Sequence, residues 1–340
     1  MKFVVVGAGA IGAYVGAALA RGGADITLVA RGDHLRAMRA HGVRVVSERG
    51  DFEVQPPATD DWSVIEDADV VFLGLKAHSL PTVAHLLGTL MKPGATVIAA
   101  QNGIPWWYFE SHGGPLDGIV LESVDPGGVV SRAIPAEAVV GCVVYCSTEI
   151  IGPGVIRHIE GTRFSFGELD RSDSDRCREI SAVFKAGGLK APVERELRNE
   201  IWLKLLGNAT FNPVSAITGA TLGELGANEA MREMLRQAFR EIAQVAERIN
   251  VTFPVSLDRR LEAGFAVGDH KTSMLQDLEN DKPLEYQCMT GAVLELAARV
   301  GVAAPCMMAL HACVQQIDGV RQRARRRGTT SDPSTSPSRR

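Results

Sequence analysis

The chain has 340 residues, 46% of them hydrophobic and 22% charged, which is typical of an ordinary soluble globular protein. Its formal net charge of -4 gives no electrostatic reason to expect nucleic acid or an anionic membrane surface as a partner. The length suits two domains, and no apolar run reaches the ~18 residues that a membrane-spanning helix needs.

The chain begins with a predicted buried strand, a glycine-rich loop and a helix. Residues 2–6 (KFVVV) form an uninterrupted apolar run, as expected of a strand buried on both faces of a parallel sheet. The next six residues, GAGAIG at 7–12, have the GxGxxG spacing that binds dinucleotides when it joins a strand to a helix. Gly7 permits the tight turn, Gly9 lets a pyrophosphate approach the backbone, and Gly12 lets the helix pack on the strand. The unpaired N–H groups of the helix start would then bind the phosphates.

The second predicted strand, Asp25 to Ala30, ends at Arg31. Sites for NAD usually place an acidic residue at this point to bind the ribose 2′-hydroxyl, whereas an arginine suits the 2′-phosphate of NADP. Asp33 follows two positions later, and we interpret it as a helix cap rather than as that acid. The pattern therefore predicts NADPH as the cofactor, with Arg31 at its 2′-phosphate.

Two later strands, predicted over residues 69–75 and 96–100, deliver polar residues at their carboxyl ends. Lys76 follows the first strand, and Asn102 follows the second. Ligands of doubly wound sheets lie outside these carboxyl ends. Either residue alone could be an ordinary loop residue. Together they predict the place where the nicotinamide half of the cofactor meets a substrate.

In the second half of the chain, helical periodicity replaces the glycine loops and strand patterns. A helix predicted over residues 200–213 carries Lys204, Asn208 and Asn212 every four residues, in one stripe on an otherwise apolar surface. Two interpretations stay open. The lysine could reach the surface while neighbouring backbone satisfies the two amides, or the stripe could face a ligand.

Two more polar residues of this half are candidates for a site. Ser273 and Gln276 fit the S-x-x-Q pattern of a helix capping box, and a helix start also receives a substrate carboxylate. Glu285 leads the next predicted helix, where an acid in the first turn complements the helix dipole. Both residues therefore have a structural interpretation beside the functional one.

The patterns together predict an α/β fold, with an N-terminal Rossmann-type doubly wound sheet and a C-terminal all-α domain. We expect an NADP-binding domain over residues 1–192 and a helical substrate and catalytic domain over residues 193–319. Residues 320–340 form a basic tail rich in serine and proline, whose composition predicts disorder. The six cysteines show no CxxC or zinc-ligand spacing, so we expect reduced thiols in a cytoplasmic protein, and no metal site.

The combined motifs resemble those of the ketopantoate reductase (2-dehydropantoate 2-reductase) family. The resemblance covers about residues 1–318 and rests on GAGAIG, Arg31, GLKAHS, QNG, WLKLLGNATFNP and TSMLQD with a following Glu. It implies an N-terminal Rossmann domain joined to a helical domain. It also implies NADPH-dependent reduction of 2-dehydropantoate to (R)-pantoate, in the route to pantothenate and coenzyme A. The substrate would be a small 2-oxo acid, and a homodimer stays open.

The same resemblance implies roles for individual residues. Lys204 matches the catalytic lysine, which is the general acid for the carbonyl oxygen. Glu285 matches the acid that holds the substrate hydroxyl and helps to position that lysine. Substrate contacts are implied for Asn102, Asn208, Asn212 and Ser273. Cofactor contacts are implied for Gly7, Ala8, Gly9, Ala10, Ile11, Gly12, Arg31, Lys76 and Asn102.

One departure from the family pattern bears on the substrate. Where the family usually has Thr-Glu-Ile-Asp and then Asn-Gly, this chain has Leu-Glu-Tyr-Gln at 284–287 and Thr-Gly at 290–291. The glutamate is kept, so reduction is still expected. Two alternatives stay open: a paralogous NADPH-dependent reductase of a different 2-oxo acid, and a non-catalytic NADPH-binding sensor.

Overall fold

The computed structural model describes residues 1–328 and divides them into two compact units. The first unit is Met1–Ile201, and the second begins at Trp202. Among the described residues, none of the helices combines the length and the apolar character needed to cross a bilayer.

Within the described residues, the first unit is built on a mixed sheet of nine strands. The strands are β1 Lys2–Val6, β2 Asp25–Val29, β3 Val43–Ser47, β4 Phe52–Val54, β5 Ala58–Thr59, β6 Val70–Leu73, β7 Thr96–Ala99, β8 Val139–Gly152 and β9 Val155–Glu168. Their order across the sheet is β4-β3-β9-β8-β7-β6-β1-β2-β5. Neighbours from β5 to β8 run parallel, whereas β9 is antiparallel to β8 and β4 is antiparallel to β3. The predicted parallel sheet is confirmed.

Apolar sequence explains the centre of this sheet. All four residues of β6 and of β7 are buried, as expected of strands that are covered on both faces. The helices of the unit are α1 Ala10–Arg21, α2 Gly32–His41, α3 Leu80–Leu90, α4 Val129–Ala133, α5 Asp175–Ala186 and the start of α6 Leu197–Asn208. In α1 every residue from Gly12 to Leu19 is buried, because small side chains let the helix lie close to the strands.

The second unit is helical, as predicted. After the end of α6 its helices are α7 Phe211–Thr218, α8 Leu222–Ala227, α9 Glu229–Arg248, α10 Leu257–Phe265, α11 Ser273–Glu279, a π-helix at Gln287–Gly291, α12 Ala292–Val300 and α13 Pro305–Gly328. The ring of Phe211 meets the rings of Phe239 and Phe265 edge to face, with centroids 5.6 and 5.5 Å apart. These aromatic contacts join α7, α9 and α10 in one core.

The division between the units lies later than the boundary that we predicted after residue 192. It falls inside α6, between Ile201 and Trp202. Arg198 shows why the first turn of this helix belongs to the first unit. Its buried guanidinium donates to the carbonyl oxygens of Tyr108, Leu169 and Glu110 at 2.9, 2.7 and 2.6 Å.

The single helix predicted over residues 200–213 is wrong, because α6 ends at Asn208 and α7 begins at Phe211. Pro213 has no N–H to donate to the carbonyl of residue 209, so the helical ladder cannot continue unbroken. The buried hydroxyl of Thr210 instead donates to the carbonyl of Leu206 at 2.6 Å. Asn212 therefore lies on a different helix from Lys204 and Asn208.

The disorder predicted from residue 320 is wrong for residues 320–328, which continue α13. Arg321 and Arg325 each donate to a carboxylate oxygen of Asp281, at 2.9 and 3.0 Å, and Arg321 also donates to the carbonyl of Leu278. These charge-assisted bonds to Asp281 stabilise the basic end of α13 against the rest of the second unit. The rest of the predicted tail, residues 329–340, lies outside the described part of the chain.

Candidate active site

Four predicted site segments of the first unit lie along one edge of the sheet. Strands β7, β6, β1 and β2 are neighbours in that order and run parallel. Their carboxyl ends lead, respectively, to Asn102, Lys76, Gly7 and Arg31. Parallel neighbours place these ends on the same side of a sheet, which is where ligands of such sheets bind.

The glycine-rich loop is shaped by close backbone packing. Gly7 has φ +88°, a conformation that glycine adopts without strain. A Cβ on Gly12 would collide with the carbonyl oxygen of Gly7, so only glycine allows α1 to start this close to β1. The N–H groups of Gly7 and Ala8 donate to the carbonyl of Val29 at 3.1 and 3.0 Å. These two amides therefore hold the loop to β2.

The start of α1 is the part of the loop that is open to a ligand. Gly9 is the N-cap of α1, and no described atom lies within 4 Å of the position that its Cβ would take. The first internal bond of the helix runs from the N–H of Ala13 to the carbonyl of Gly9. The N–H groups before it have no partner inside the helix and present a positive dipole end. This arrangement fits the pyrophosphate of a dinucleotide.

Arg31 lies two residues beyond the end of β2 and is exposed. It is the N-cap residue of α2, with φ -146° and ψ 166°, and its side chain makes no capping bond. Asp33 is not the cap that the sequence suggested. It lies in the first turn of α2, where its carboxylate pairs with Arg36. An exposed guanidinium beside the glycine-rich loop fits a phosphate group of a cofactor.

Gln101 connects the segments that follow β6 and β7 by hydrogen bonds, and the sequence analysis did not predict this role. Its side-chain Nε2 donates to the carbonyl oxygens of Leu73 and Leu75 at 3.0 and 3.3 Å, while its buried Oε1 has no hydrogen-bond partner among the described residues. The amide thereby fixes the segment that leads to Lys76 relative to the segment that contains Asn102. Both of these residues are half-buried. The only sequence signal for Gln101 was its place beside Asn102.

His34 is a second residue that the sequence reasoning missed. Its Nδ1 accepts from the N–H of Gly154 at 2.9 Å, and its Nε2 is buried. Burial lowers the pKa of His34, and a contact with the backbone of Ala8 partly offsets that effect. The neutral imidazole thus lies between the β8–β9 turn and the glycine-rich loop.

In the second unit, Lys204 and Asn208 lie one turn apart on α6 and are both half-buried. Gly207 lies between them, and a Cβ there would come within 2.7 Å of a guanidinium nitrogen of Arg260. The Nε of Arg260 donates to the carbonyl of Leu203 at 3.3 Å. An arginine from α10 therefore lies beside the helix that carries the candidate lysine, and the missing side chain of Gly207 makes room for it.

Asn212 and Ser273 meet in the structure although they lie on different helices. The buried amide of Asn212 donates from Nδ2 to the hydroxyl of Ser273 at 3.4 Å, and the same nitrogen lies 3.9 Å from Sδ of Met289 in the π-helix. The capping box predicted for Ser273 is wrong. The N-cap is Thr272, whose hydroxyl accepts from the N–H of Leu275 at 3.3 Å. Ser273 is exposed, so its hydroxyl faces solvent beside a polar amide.

Glu285 lies in the segment between α11 and the π-helix and is half-buried. It does not belong to the first turn of a regular helix, as the sequence suggested, because the π-helix begins two residues later. Such π-helical turns are frequent at functional sites. The second unit thus presents an ammonium group, three amide or hydroxyl groups and a carboxylate on α6, α7, α11 and the segment before the π-helix. These groups suit a small anionic substrate that carries a hydroxyl or carbonyl oxygen.

Comparison with known proteins agrees with this chemistry. The model of the ketopantoate reductase PanE/ApbA family matches residues 3–171, and the model of its C-terminal part matches residues 196–318. A 2-dehydropantoate 2-reductase of Mesorhizobium japonicum is 42% identical over 318 residues, which cover 93% of this chain and 98% of that protein.

Solved structures give the same result for the fold. A candidate ketopantoate reductase from Ralstonia solanacearum MolK2 has a TM-score of 0.88 and 36% identity, covering 94% of this chain and 98% of that one. D-Mandelate dehydrogenase, solved with NADH and anilino(oxo)acetate, has a TM-score of 0.80, covering 95% of this chain and 100% of that one. Its 21% identity supports the fold alone. By the match of both family models and the close bacterial relative, the chain belongs to the ketopantoate reductase PanE/ApbA family.

Proposed function

We propose that this protein reduces 2-dehydropantoate to (R)-pantoate with NADPH, as a step towards pantothenate and coenzyme A. The observation that supports this proposal most is the contact of Asn212 with Ser273 at 3.4 Å. These residues come from separate helices, and both match substrate-binding positions of the family. Two neutral donors that converge in this way suit the carboxylate of a 2-oxo acid.

Lys204 is the proposed general acid. NADPH, when bound, supplies the hydride that the carbonyl carbon accepts. Negative charge then builds on the carbonyl oxygen, where the ammonium group of Lys204 stabilises it and donates a proton. Glu285 accepts a hydrogen bond from the substrate hydroxyl and orients the ammonium group. Asn208, one turn from Lys204 on α6, provides a further polar contact to the 2-oxo acid.

The first unit is proposed to hold the cofactor. The start of α1, beyond Gly9, binds the pyrophosphate through its N–H groups, and Arg31 binds the 2′-phosphate. Gly7, Ala8 and Gly12 contribute by shaping the loop, because their backbone groups pack against β1 and β2. Lys76, which follows the end of β6, is proposed to contact the nicotinamide half of the cofactor. Arg31 is the only residue on which we base the proposal of NADPH rather than NADH.

A different 2-oxo acid is the second candidate substrate. The observation that favours it is Tyr286, a half-buried aromatic residue directly after Glu285, at a position where the family pattern has an aliphatic side chain. A larger ring at this point would favour a branched or aromatic 2-oxo acid over the compact 2-dehydropantoate.

A substrate panel separates these proposals. We expect oxidation of NADPH to be fastest, in kcat/KM, with 2-dehydropantoate among a series that includes pyruvate, 2-oxoisovalerate and phenylglyoxylate. A higher kcat/KM for phenylglyoxylate would support the second candidate. Tight NADPH binding without turnover of any member would indicate a sensor and contradict both enzymatic proposals. We also propose that the protein works as a homodimer in the cytoplasm, where its free thiols stay reduced.

A further inference from the structure

The segment that carries Glu285 is held on both sides by one helix, α13. Glu285 lies between Leu284 and Tyr286. The N–H of Leu284 bonds directly to a polar side chain of α13, and the carbonyl of Tyr286 is linked to another one through Thr290. The two side chains are His311 and Asp318. They lie two helical turns apart and therefore on the same face of α13.

Asp318 holds the N-terminal side of the segment. Asp318 is 3% exposed, and its Oδ1 accepts from the N–H of Leu284 at 3.4 Å. Its other oxygen accepts from Nε2 of Gln322 at 2.7 Å, one turn further along α13. A buried carboxylate is costly unless hydrogen bonds satisfy it. Both of its oxygens therefore have a partner that fixes the direction of the carboxylate towards Leu284.

His311 holds the C-terminal side through Thr290. The carbonyl of Tyr286 accepts three bonds, from the N–H groups of Met289 and Gly291 at 3.2 and 3.1 Å and from the hydroxyl of Thr290 at 3.1 Å. The hydroxyl of Thr290 has one proton, which this bond uses. The contact of 2.8 Å between Thr290 and Nδ1 of His311 therefore makes the imidazole the donor.

Packing supports the same arrangement. Thr290 is completely buried, and the ring of His311 meets the ring of Tyr286 edge to face, with centroids 5.4 Å apart. The bond from Gly291 to Tyr286 spans five residues and is one of the bonds that make this turn π-helical. A wider turn of this kind rotates the residues that precede it relative to an α-helical continuation. His311 contacts the hydroxyl of Thr290, and that hydroxyl donates to the carbonyl of Tyr286, where the turn begins; these two bonds stabilise the turn.

We propose that His311 and Asp318 are positioning residues for Glu285, and that they fix its carboxylate from α13 without touching substrate. This inference rests on the proposed function, in which Glu285 binds the hydroxyl of the 2-oxo acid and orients Lys204. Asp318, Thr290 and His311 form a network whose hydrogen bonds fix the backbone on both sides of Glu285. Loss of this network should therefore change the position of Glu285 rather than the binding of the cofactor.

Matched pairs of variants test the inference. Thr290→Val, His311→Leu and Asp318→Leu each remove one bond of the network. Thr290→Ser keeps the hydroxyl, His311→Asn keeps a donor near the Nδ1 position, and Asp318→Asn keeps an acceptor for Leu284. We expect each disruptive variant to lower kcat/KM for 2-dehydropantoate about tenfold or more, because small displacements of positioning groups are costly in catalysis. The KM for NADPH should stay unchanged, and each conservative variant should restore most of the loss.

Amide hydrogen exchange of the same variants gives a readout that does not depend on turnover. We expect the amides of residues 284–291 to exchange faster in Thr290→Val than in Thr290→Ser, while α9 exchanges at the wild-type rate. If Thr290→Val fails to fold, His311→Leu replaces it, because that change leaves the buried threonine in place.

The outcomes separate the inference from the proposed function. Disruptive variants as active as wild type, beside an impaired Glu285→Ala, would overturn the inference and leave the proposed function intact. A Glu285→Ala protein as active as wild type would overturn both the role of Glu285 and the inference built on it. A wild-type protein that does not reduce 2-dehydropantoate or any related 2-oxo acid would overturn the proposed function itself.

Discussion

The amide of Asn212 donates to the hydroxyl of Ser273 at 3.4 Å, although 61 residues separate them in the sequence. The nitrogen belongs to a buried side chain and the oxygen to an exposed one. A buried amide that reaches an exposed hydroxyl at the start of α11 forms a pair of donors for a small anion. Because the two groups contact each other, they should act as one unit in binding.

Asn212→Ala and Ser273→Ala are each expected to raise the KM for the 2-oxo acid, and the double variant should lose less than the sum of the two. Residues in direct contact commonly show interaction energies of about 0.5–3 kcal/mol in such a cycle. Steady-state kinetics with saturating NADPH measures this coupling. Asn280→Ala, at the exposed C-cap that follows α11, serves as the control. Strictly additive effects would mean that the contact has no part in substrate binding.

Arg31→Ala is expected to raise the KM for NADPH far more than the KM for NADH. The reason is that only NADPH carries the 2′-phosphate that the exposed guanidinium would bind. The matched control is Arg36→Ala, which removes another exposed arginine of the same segment that pairs with Asp33. Equal effects of Arg31→Ala on both cofactors would remove the basis for assigning NADPH.

Two glycines of the same loop should respond differently to alanine. In Gly9→Ala the added methyl group meets open space, so the protein should fold normally but bind NADPH more weakly, because the methyl group lies where the pyrophosphate approaches. In Gly12→Ala the methyl group collides with the carbonyl of Gly7, and overpacking of this kind costs about 1–3 kcal/mol of stability.

Thermal unfolding together with NADPH titration distinguishes the two effects. A Gly9→Ala protein that is destabilised as much as Gly12→Ala would show that residue 9 is packed rather than open. A Gly9→Ala protein that binds NADPH normally would exclude the start of α1 as the pyrophosphate site.

His34 makes stability depend on pH. Burial lowers its pKa in the folded protein, so the unfolded chain takes up a proton first as the pH falls. Stability from this residue is therefore present above its unfolded pKa of about 6.5 and is lost as the pH falls below that value. His34→Asn keeps an acceptor for the N–H of Gly154 but does not titrate, so it should lose less stability than wild type on acidification.

Urea unfolding at neutral and mildly acidic pH measures this difference, with His41→Asn on the exposed end of α2 as the control. Burial also lowers the pKa values of His112 and His311, so the variant should reduce the pH dependence without abolishing it. The same pH dependence in wild type and His34→Asn would contradict the interpretation.

The sequence predicted those features that short patterns encode. The buried strands and the glycine-rich loop follow from local apolar runs and spacing, and the structure places them as expected. The sequence predicts one stripe of Lys204, Asn208 and Asn212, because a period of four is a local pattern. Their separation onto two helices depends on the bonds of Thr210 and the missing N–H of Pro213, which only the folded chain reveals.

Other features depend on contacts that are distant in sequence and left no local signal. Gln101 acts by donating to carbonyls that lie 28 and 26 residues before it. His311 acts on Tyr286 through Thr290, and the capping role of Thr272 rather than Ser273 depends on where α11 begins. The extension of α13 past residue 320 depends on Asp281. Composition predicts disorder after residue 320, because it cannot show that Asp281 accepts hydrogen bonds from this segment.

The most direct test of the central claim is the rate of hydride transfer to 2-dehydropantoate in Lys204→Ala under saturating NADPH and 2-oxo acid, measured in a single turnover. We expect a loss of about a hundredfold or more, which is typical when general-acid catalysis is removed, while NADPH binding and folding remain normal. Lys190→Ala, at an exposed lysine of the first unit, should keep the wild-type rate. A Lys204→Ala protein that transfers hydride at the wild-type rate would contradict the role of Lys204 as the general acid.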